Sequence, residues 1–273
     1  MSLQTKIFGL DGKAYDTIKL PEVFNTPFRP EVIHKAYVNL LSHSFQGQGR
    51  YPAAGEIVSA ESRNTGLGMA RIARARGEGF PRAGQAAGVA GVRHGRVAHP
   101  PQAWKNIYKK INKKEKLLGL CSAIAATARR DLIQKRGHNV ENISSFPIII
   151  SNDVESISKT KELERALVSL GLGPDLIRAK SCHKARSGTS RRRGRQARSG
   201  ISVLIVVENK EKIGRLSDSI PGVEIKSVRA LSALDFVPGS RPVRLTIFSQ
   251  NAIEQLKEMR APMHKVMDMT KNK

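Results

Sequence analysis

Two tracts of the sequence carry side chains suited to one chemistry, the neutralisation of phosphate. The first runs from Ser44 to Ala103 and carries its positive charge on arginine alone, at Arg50, Arg63, Arg71, Arg74, Arg76, Arg82, Arg93 and Arg96. Lysine is absent there until Lys105. A guanidinium is a planar fork of five donors that matches a phosphate two bonds at a time and stacks on base faces. Glycines are interleaved, among them Gly66, Gly68, Gly77, Gly79, Gly91 and Gly95, and a residue without Cβ lets the backbone approach a surface closely. His94 and His99 add imidazole donors. The second tract, residues 178–198, contains Lys184, Arg186, Arg191, Arg192, Arg193, Arg195 and Arg198 and no acidic residue. Cations this close repel one another unless anions lie between them. A solvated loop or a nuclear localisation patch is the blander reading of Arg191–Arg195; docking onto RNA accounts better for the charge in both tracts.

Other chemistries find little support. Gly66-Leu67-Gly68 and Gly77-Glu78-Gly79 lack the third glycine, the preceding buried strand and the following helix of a dinucleotide site. No GxxxxGK[ST] or GxSxG pattern occurs. His94, His99, Cys182 and His183 do not show paired metal-ligand spacing. The sequence therefore implies no cofactor, no metal, no small-molecule substrate and no enzyme.

The overall charge agrees. Lys and Arg total 47 against 23 Asp and Glu, a formal charge of +24. Such an excess contributes nothing to folding and should serve a polyanionic partner. A membrane surface is the second candidate, but no apolar run approaches the roughly 20 residues that span a bilayer. The start, MSLQTKIFGLDG, does not resemble a signal peptide. Cys121 and Cys182 lie far apart, which suits a reducing cytosol. Aromatic residues make up only 5%, too few for a stacking platform, so affinity should come from phosphates and shape.

The elements that position these tracts follow from periodicity. Lys6–Phe8 and Ile18–Leu20 flank the turn dipeptide Asp11-Gly12, which predicts a hairpin. Pro30 opens a helix with Val32, Ile33, Ala36, Tyr37, Leu40 and Leu41 on one face. Order should return at Trp104. A single long helix is predicted from Asn112 to Arg136, burying Leu117, Leu118, Cys121, Ile124, Ala125, Ala128 and Leu132 and stopping at Gly137. Its lysine-rich start, from Lys109 to Lys116, reads equally as a solvated end or a phosphate contact. Buried strands are predicted at Phe146–Ile150, Ile201–Val207, Val223–Val228 and Val243–Phe248. Helices are expected at Thr160–Leu170, Asn209–Ser217 and Asn251–Met259. Alternating strands and helices imply an α/β fold in three layers, a mostly parallel sheet covered by helices with Rossmann-like topology. The body should comprise residues 1–43 and 104–273, with 44–103 an extended Gly/Arg-rich loop and 178–200 a basic excursion.

Several motifs resemble one family. Arg63-Asn64-Thr65-Gly66-Leu67-Gly68-Met69-Ala70-Arg71 is similar to the RxxGxGxAR core of the universal ribosomal protein four of the large subunit. The following Ala75-Arg76-Gly77-Glu78-Gly79-Phe80-Pro81-Arg82 and the stretch Gly91–Pro101 resemble its archaeal and eukaryotic form. Lys184–Gly188, Arg198–Gly200 with Leu204–Val207, and Ile220-Pro221-Gly222-Val223 with Leu231 and Leu234 fit as well. A long eukaryote-type C-terminal extension is missing, which favours the archaeal form. The resemblance implies a structural constituent of the large subunit, in the cytoplasm and within the ribosome. It implies binding to large-subunit ribosomal RNA early in assembly, neighbouring ribosomal proteins as partners, and a loop lining the polypeptide exit tunnel. Arg71, Ile72, Arg74 and Arg76 would then face the nascent chain. The alternatives from other classes are a Rossmann-like nucleotide-dependent enzyme and a chromatin-type DNA-binding protein.

Overall fold

A computed structural model describes residues 4–211, 213–241, 243–259 and 262. The chain separates into two units, one of residues 1–41 and 109–273 and the other of Ser42–Tyr108.

The larger unit begins with the hairpin. Strands β1 (Gln4–Phe8) and β2 (Ala14–Lys19) run antiparallel with Thr5 opposite Ile18, and the Gly12 N–H donates to the Gly9 carbonyl at 3.1 Å to close the turn. Helix α1 (Pro30–Ser42) starts on its proline, whose fixed φ suits a first turn and whose missing N–H is not needed there. The short strands β3 (Glu61–Ser62) and β4 (Ala73–Arg74) belong to the smaller unit.

The Asn112–Arg136 segment is two helices, α2 (Lys113–Ala126) and α3 (Arg130–Arg136), not one. At the break the buried Thr127 hydroxyl donates to the Ile124 carbonyl at 2.7 Å, and Arg129 is extended at φ −101°. A threonine that bonds back onto the preceding turn offers the backbone an alternative to helix. Ile133, not Leu132, is the fully buried residue beyond the break, and Leu118 is half-buried. Residues 104–112 have no regular structure and Trp104 is exposed, so order resumes at Lys113, not at Trp104. Gly137 ends α3 in the left-handed region, at φ 98°, as its position predicts.

Strand β5 (Ile148–Ile150) leads to α4 (Thr160–Leu167), a π-turn at Val168–Leu172, and α5 (Gly173–Ser181), a helix that periodicity does not reveal. A small hairpin follows, β6 (Lys184–Ala185), α6 (Gly188–Arg192) and β7 (Ala197–Arg198). The basic excursion therefore starts after Ser181, because Arg178 sits on α5. Strand β8 (Leu204–Val207), a 3-10 helix at Ile213–Ser219, β9 (Glu224–Ser227), α7 (Ala233–Phe236), β10 (Thr246–Ser249) and α8 (Gln250–Leu256) complete the unit.

The six-stranded sheet has the order β2-β1-β5-β10-β8-β9, parallel except at β1/β2. Every residue of β5, β8 and β10 is buried, which explains their unbroken apolar runs. Alternate residues serve opposite faces. Ile148, Ile150, Ile205, Val207 and Ile247 pack with Ile133, Leu163 and Leu176 of α3, α4 and α5. Ile149, Leu204, Val206 and Phe248 pack with Ile33, Ile124, Phe236 and Ile253 of α1, α2, α7 and α8. The body is thus α/β with helices on both faces of a mostly parallel sheet. Its strand order departs from the Rossmann-like expectation. The last strand, β10, is inserted between β5 and β8, whereas a doubly wound dinucleotide fold grows outward from its first strand. Apolar runs reveal which segments are strands but not which become neighbours.

Candidate nucleic-acid interface

Between His43 and Tyr108 no residue is buried, among the described residues. A segment that buries nothing gains little hydrophobic free energy on folding, and its order comes from backbone bonds and turns. Glu61 pairs with Arg74 and Ser62 with Ala73 across β3 and β4. Ala75 N–H donates to the Gln85 carbonyl at 2.9 Å, and Ala87 N–H to the Ala73 carbonyl at 3.0 Å. The ends of the unit meet where the rings of His43 and Tyr108 stack with centroids 5.2 Å apart.

On this frame the arginines divide. Arg74 is half-buried and donates from Nη1 to the Gly84 carbonyl at 3.0 Å. Arg76 is ion-paired with Glu61. Arg50 reaches the Ala54 carbonyl at 3.4 Å. Arg63, Arg71, Arg82, Arg93 and Arg96 are exposed and, among the described residues, have no carboxylate within ion-pair distance. Gly66 and Gly68 are exposed at φ 90° and 67°. Ile72 is half-buried; His94, at φ 59°, and His99 are exposed.

In the larger unit, β6 and β7 place Lys184 directly opposite Arg198. Arg191, Arg192, Arg193 and Arg195 occupy the tip and are exposed, and Arg186 is half-buried. The feet of this hairpin rest on a buried polar network that sequence reasoning missed. Asp175, fully buried on α5, accepts from Arg178 Nε at 2.8 Å, the Asn139 N–H at 3.1 Å, His138 Nδ1 at 3.1 Å and the Ser202 hydroxyl. Burial alone would raise its pKa; donors from His138, Arg178 and Ser202 outweigh that and hold the carboxyl well below the usual range. Burial pushes the His138 imidazole down, against the pull of Asp175.

Arg244, 1% exposed, lies beside this network. It donates to the carbonyls of Ser202 at 2.7 Å, Val203 at 3.1 Å and Gly222 at 2.8 Å, and to Glu224 at 2.7 Å. A guanidinium this deep is tolerable because its donors are satisfied. It ties together the N-terminal ends of β8, β9 and β10. The signals available in sequence were slight: a single aspartate in the first turn after Gly173-Pro174, and one arginine inside the apolar run before Phe248.

Around the network lies a cavity of about 560 Å³, lined by Arg136, Arg178, Lys184, Arg186 and Arg198 together with Cys182 and the backbone near Gly200. Among the described residues no group of three potential metal ligands occurs, and no helix is long and apolar enough to cross a membrane.

Residues 18–259 match the ribosomal protein L4/L1 family. A large ribosomal subunit protein uL4 from Pyrobaculum aerophilum is 41% identical over 254 residues, covering 92% of this chain and 88% of that protein. The uL4 proteins of Methanococcus vannielii and Methanopyrus kandleri are 39% and 36% identical, each over 94% of this chain and nearly the whole of the relative.

Proposed function

The chain belongs to the ribosomal protein L4/L1 family in its archaeal type, and from that premise we propose that it is a structural constituent of the large ribosomal subunit that binds ribosomal RNA. The observation that carries the RNA contact is the Ser42–Tyr108 unit. From His43 to Tyr108 it buries no residue, and it presents Arg63, Arg71, Arg82, Arg93 and Arg96 without carboxylate partners among the described residues. Exposed guanidinium groups on a glycine-rich backbone suit phosphates and unpaired bases rather than a protein core. The same unit would line part of the exit tunnel, with Arg71, Ile72, Arg74 and Arg76 towards the nascent chain, and support early assembly beside neighbouring ribosomal proteins. Its working place is then the ribosome in the cytoplasm.

A catalytic role draws no support from the sheet. In open α/β sheets ligands sit at the C-terminal ends of the strands. Here the segments after β5, β8 and β10 bond one another, with Glu155 accepting from the Ser249 hydroxyl at 2.7 Å and from the Glu208 N–H at 3.0 Å and Asn152 bonding Asn251. The cavity that remains beside the ends of β8 and β9 is lined by Glu208, Lys210, Glu211, Arg215 and Arg229, and no glycine-rich phosphate loop leads into it. A DNA-binding role would need a groove-reading helix, and the exposed arginines of the two basic tracts lie on loops and a small hairpin instead. Co-sedimentation decides the reading. The tagged full chain should travel with large subunits through a high-salt gradient. Release of all of it to the top of the gradient overturns the proposal.

A further inference from the structure

The cavity beneath the basic hairpin carries cations in positions that make sense only with an anion present. Lys184 and Arg198 are register partners across β6 and β7, and like charges directly opposite one another destabilise an antiparallel pair. Arg136, Arg178 and Arg186 line the same cavity. Asp175, the carboxylate that binds Arg178, is also engaged by His138, Ser202 and the Asn139 N–H. Among the described residues Arg136, Lys184, Arg186 and Arg198 have no carboxylate within ion-pair distance. Among the described residues the Arg136 guanidinium has one hydrogen bond, to the Arg241 carbonyl at 3.1 Å.

The walls are built to hold position. Asp175 fixes Arg178 from below, and Arg178 Nη2 also donates to the Ile201 carbonyl at 2.8 Å. Gly200 lies so close to α5 that a Cβ there would meet Ala179 Cα at 2.9 Å and Cys182 Cβ at 3.0 Å. Only glycine lets the foot of the hairpin seat against the helix. A larger cavity, of about 880 Å³, at the ends of β8 and β9 mixes Glu208 and Glu211 with Lys210, Arg215 and Arg229, so its charges offset one another. The basic cavity has no such balance.

We propose that this cavity is a phosphodiester site: it takes one backbone phosphate of large-subunit RNA, held between Arg136 and the Lys184/Arg198 pair, with room for the attached nucleotide. The inference rests on the RNA-binding reading above and adds a particular site to it, in the body of the protein. A phosphate there offsets the cross-strand repulsion of Lys184 and Arg198 and accepts from donors that otherwise have no acceptor. A volume of about 560 Å³ is far more than a lone phosphate needs and lies within the range of sites for small organic groups.

Cys182 is a built-in reporter. It is exposed and lines the cavity. Cys121 is buried, with its thiol pushed up to about 11 by burial, and will not compete for a maleimide. The experiment measures maleimide alkylation of the full chain alone, with a large-subunit RNA fragment, and with AMP at millimolar concentration. Gel shift is run in parallel on the wild type and on Arg136→Gln. With RNA at ten times its Kd about a tenth of the protein is free, so alkylation should slow about tenfold. AMP should leave the rate unchanged. Arg136→Gln, in the wall of the cavity and away from the hairpin tip, should weaken RNA binding by about tenfold while melting like the wild type.

RNA that binds without protecting Cys182, or that binds Arg136→Gln equally well, overturns the site and leaves the family function standing. Protection by AMP equal to that by RNA makes the cavity a free-nucleotide site and overturns the phosphodiester assignment. Failure of the wild type to bind the RNA at all overturns the RNA-binding reading, and the site with it.

Discussion

His138 Nδ1 lies 3.1 Å from the Asp175 carboxylate, and the contact is a hydrogen bond from a neutral imidazole. The other ring nitrogen, Nε2, accepts from the Leu245 N–H at 3.4 Å, which it can do only unprotonated. Burial drives the imidazole the same way. The positive charge opposite Asp175 is therefore supplied by Arg178, at 2.8 Å, and the histidine acts as a rigid link between α5 and β10.

That assignment fixes a pH dependence. The native pKa of His138 lies below the unfolded value, so the unfolded chain takes up a proton first as pH falls. Stability from this group is complete above about pH 6.5 and is lost below it, at up to roughly 1.4 kcal/mol per pH unit. Asp175, also depressed, adds a further loss below about pH 4. Urea midpoints of wild type and His138→Gln measured from pH 5 to 8 should diverge in slope. Parallel curves would mean that folding leaves the His138 pKa unchanged, and divergence of the opposite sign, with the wild type gaining as pH falls, that the imidazole is charged in the native state.

Removing Asp175 should be costly. Asp175→Ala leaves Arg178, Ser202 and His138 without their shared acceptor in the interior, and breaking a buried charge pair from one side typically costs about 3–5 kcal/mol. Asp175→Asn keeps an acceptor and should lose less. Equal urea midpoints for the two variants would mean that the charge and its geometry do not matter.

These residues also mark where the sequence was readable. Ile148–Ile150 and Leu204–Val207 announced buried strands because both their faces are covered, and Gly137 announced the end of α3. The Arg-only tract stood out because composition changes at Ser44 and again near Lys105. The break at Thr127 stayed hidden because the apolar phase continues across it. The inserted position of β10 and the convergence of His138, Asp175, Ser202 and Arg244 depend on pairings between residues as much as 107 apart, which no local pattern encodes. The basic cavity was half legible. Lys184, Arg186 and Arg198 were visible as a charge run, but Arg136 joined them only through the fold.

Salt should weaken RNA binding steeply. With ~6 or more phosphates neutralised, the slope of log K against log salt should be about −0.7 to −0.9 per contact, so a fourfold rise in salt lowers affinity by ~10³. Filter binding of a large-subunit RNA fragment at several salt concentrations measures it. A nearly flat line would mean that the exposed arginines are not on phosphates.

Free protein should exchange its amide hydrogens quickly between Gly66 and Gly95. Among the described residues none in this stretch is buried, and amides that open locally exchange without global unfolding. The slowest should be Ala75 and Ala87, whose bonds to Gln85 and Ala73 form the small frame. RNA should slow the whole stretch, since binding supplies the free energy of ordering. Protection in the free protein as strong as that of β8 would contradict this.

The two units should fail in different ways. Deleting Gly66 to Arg96 removes no buried residue, and closing a shorter connection changes stability little because loop entropy grows only slowly with length. The deleted protein should melt like the wild type and yet be poorly incorporated into large subunits, because Arg71, Arg82, Arg93 and Arg96 are gone. Ile149→Asp and Val206→Asp should do the reverse. Both side chains are fully buried at the middle of the sheet, and an unpaired carboxylate there costs far more than a domain's margin of stability can absorb. Leu118→Asp should be milder, since Leu118 is only half-buried and its carboxylate can reach water. Thermal melting of each variant beside its recovery in purified subunits tests the division. A deletion that lowers the melting temperature of the body as far as Val206→Asp does, or one that enters subunits as efficiently as the wild type, would show that the arginine unit and the sheet do not divide the work in this way.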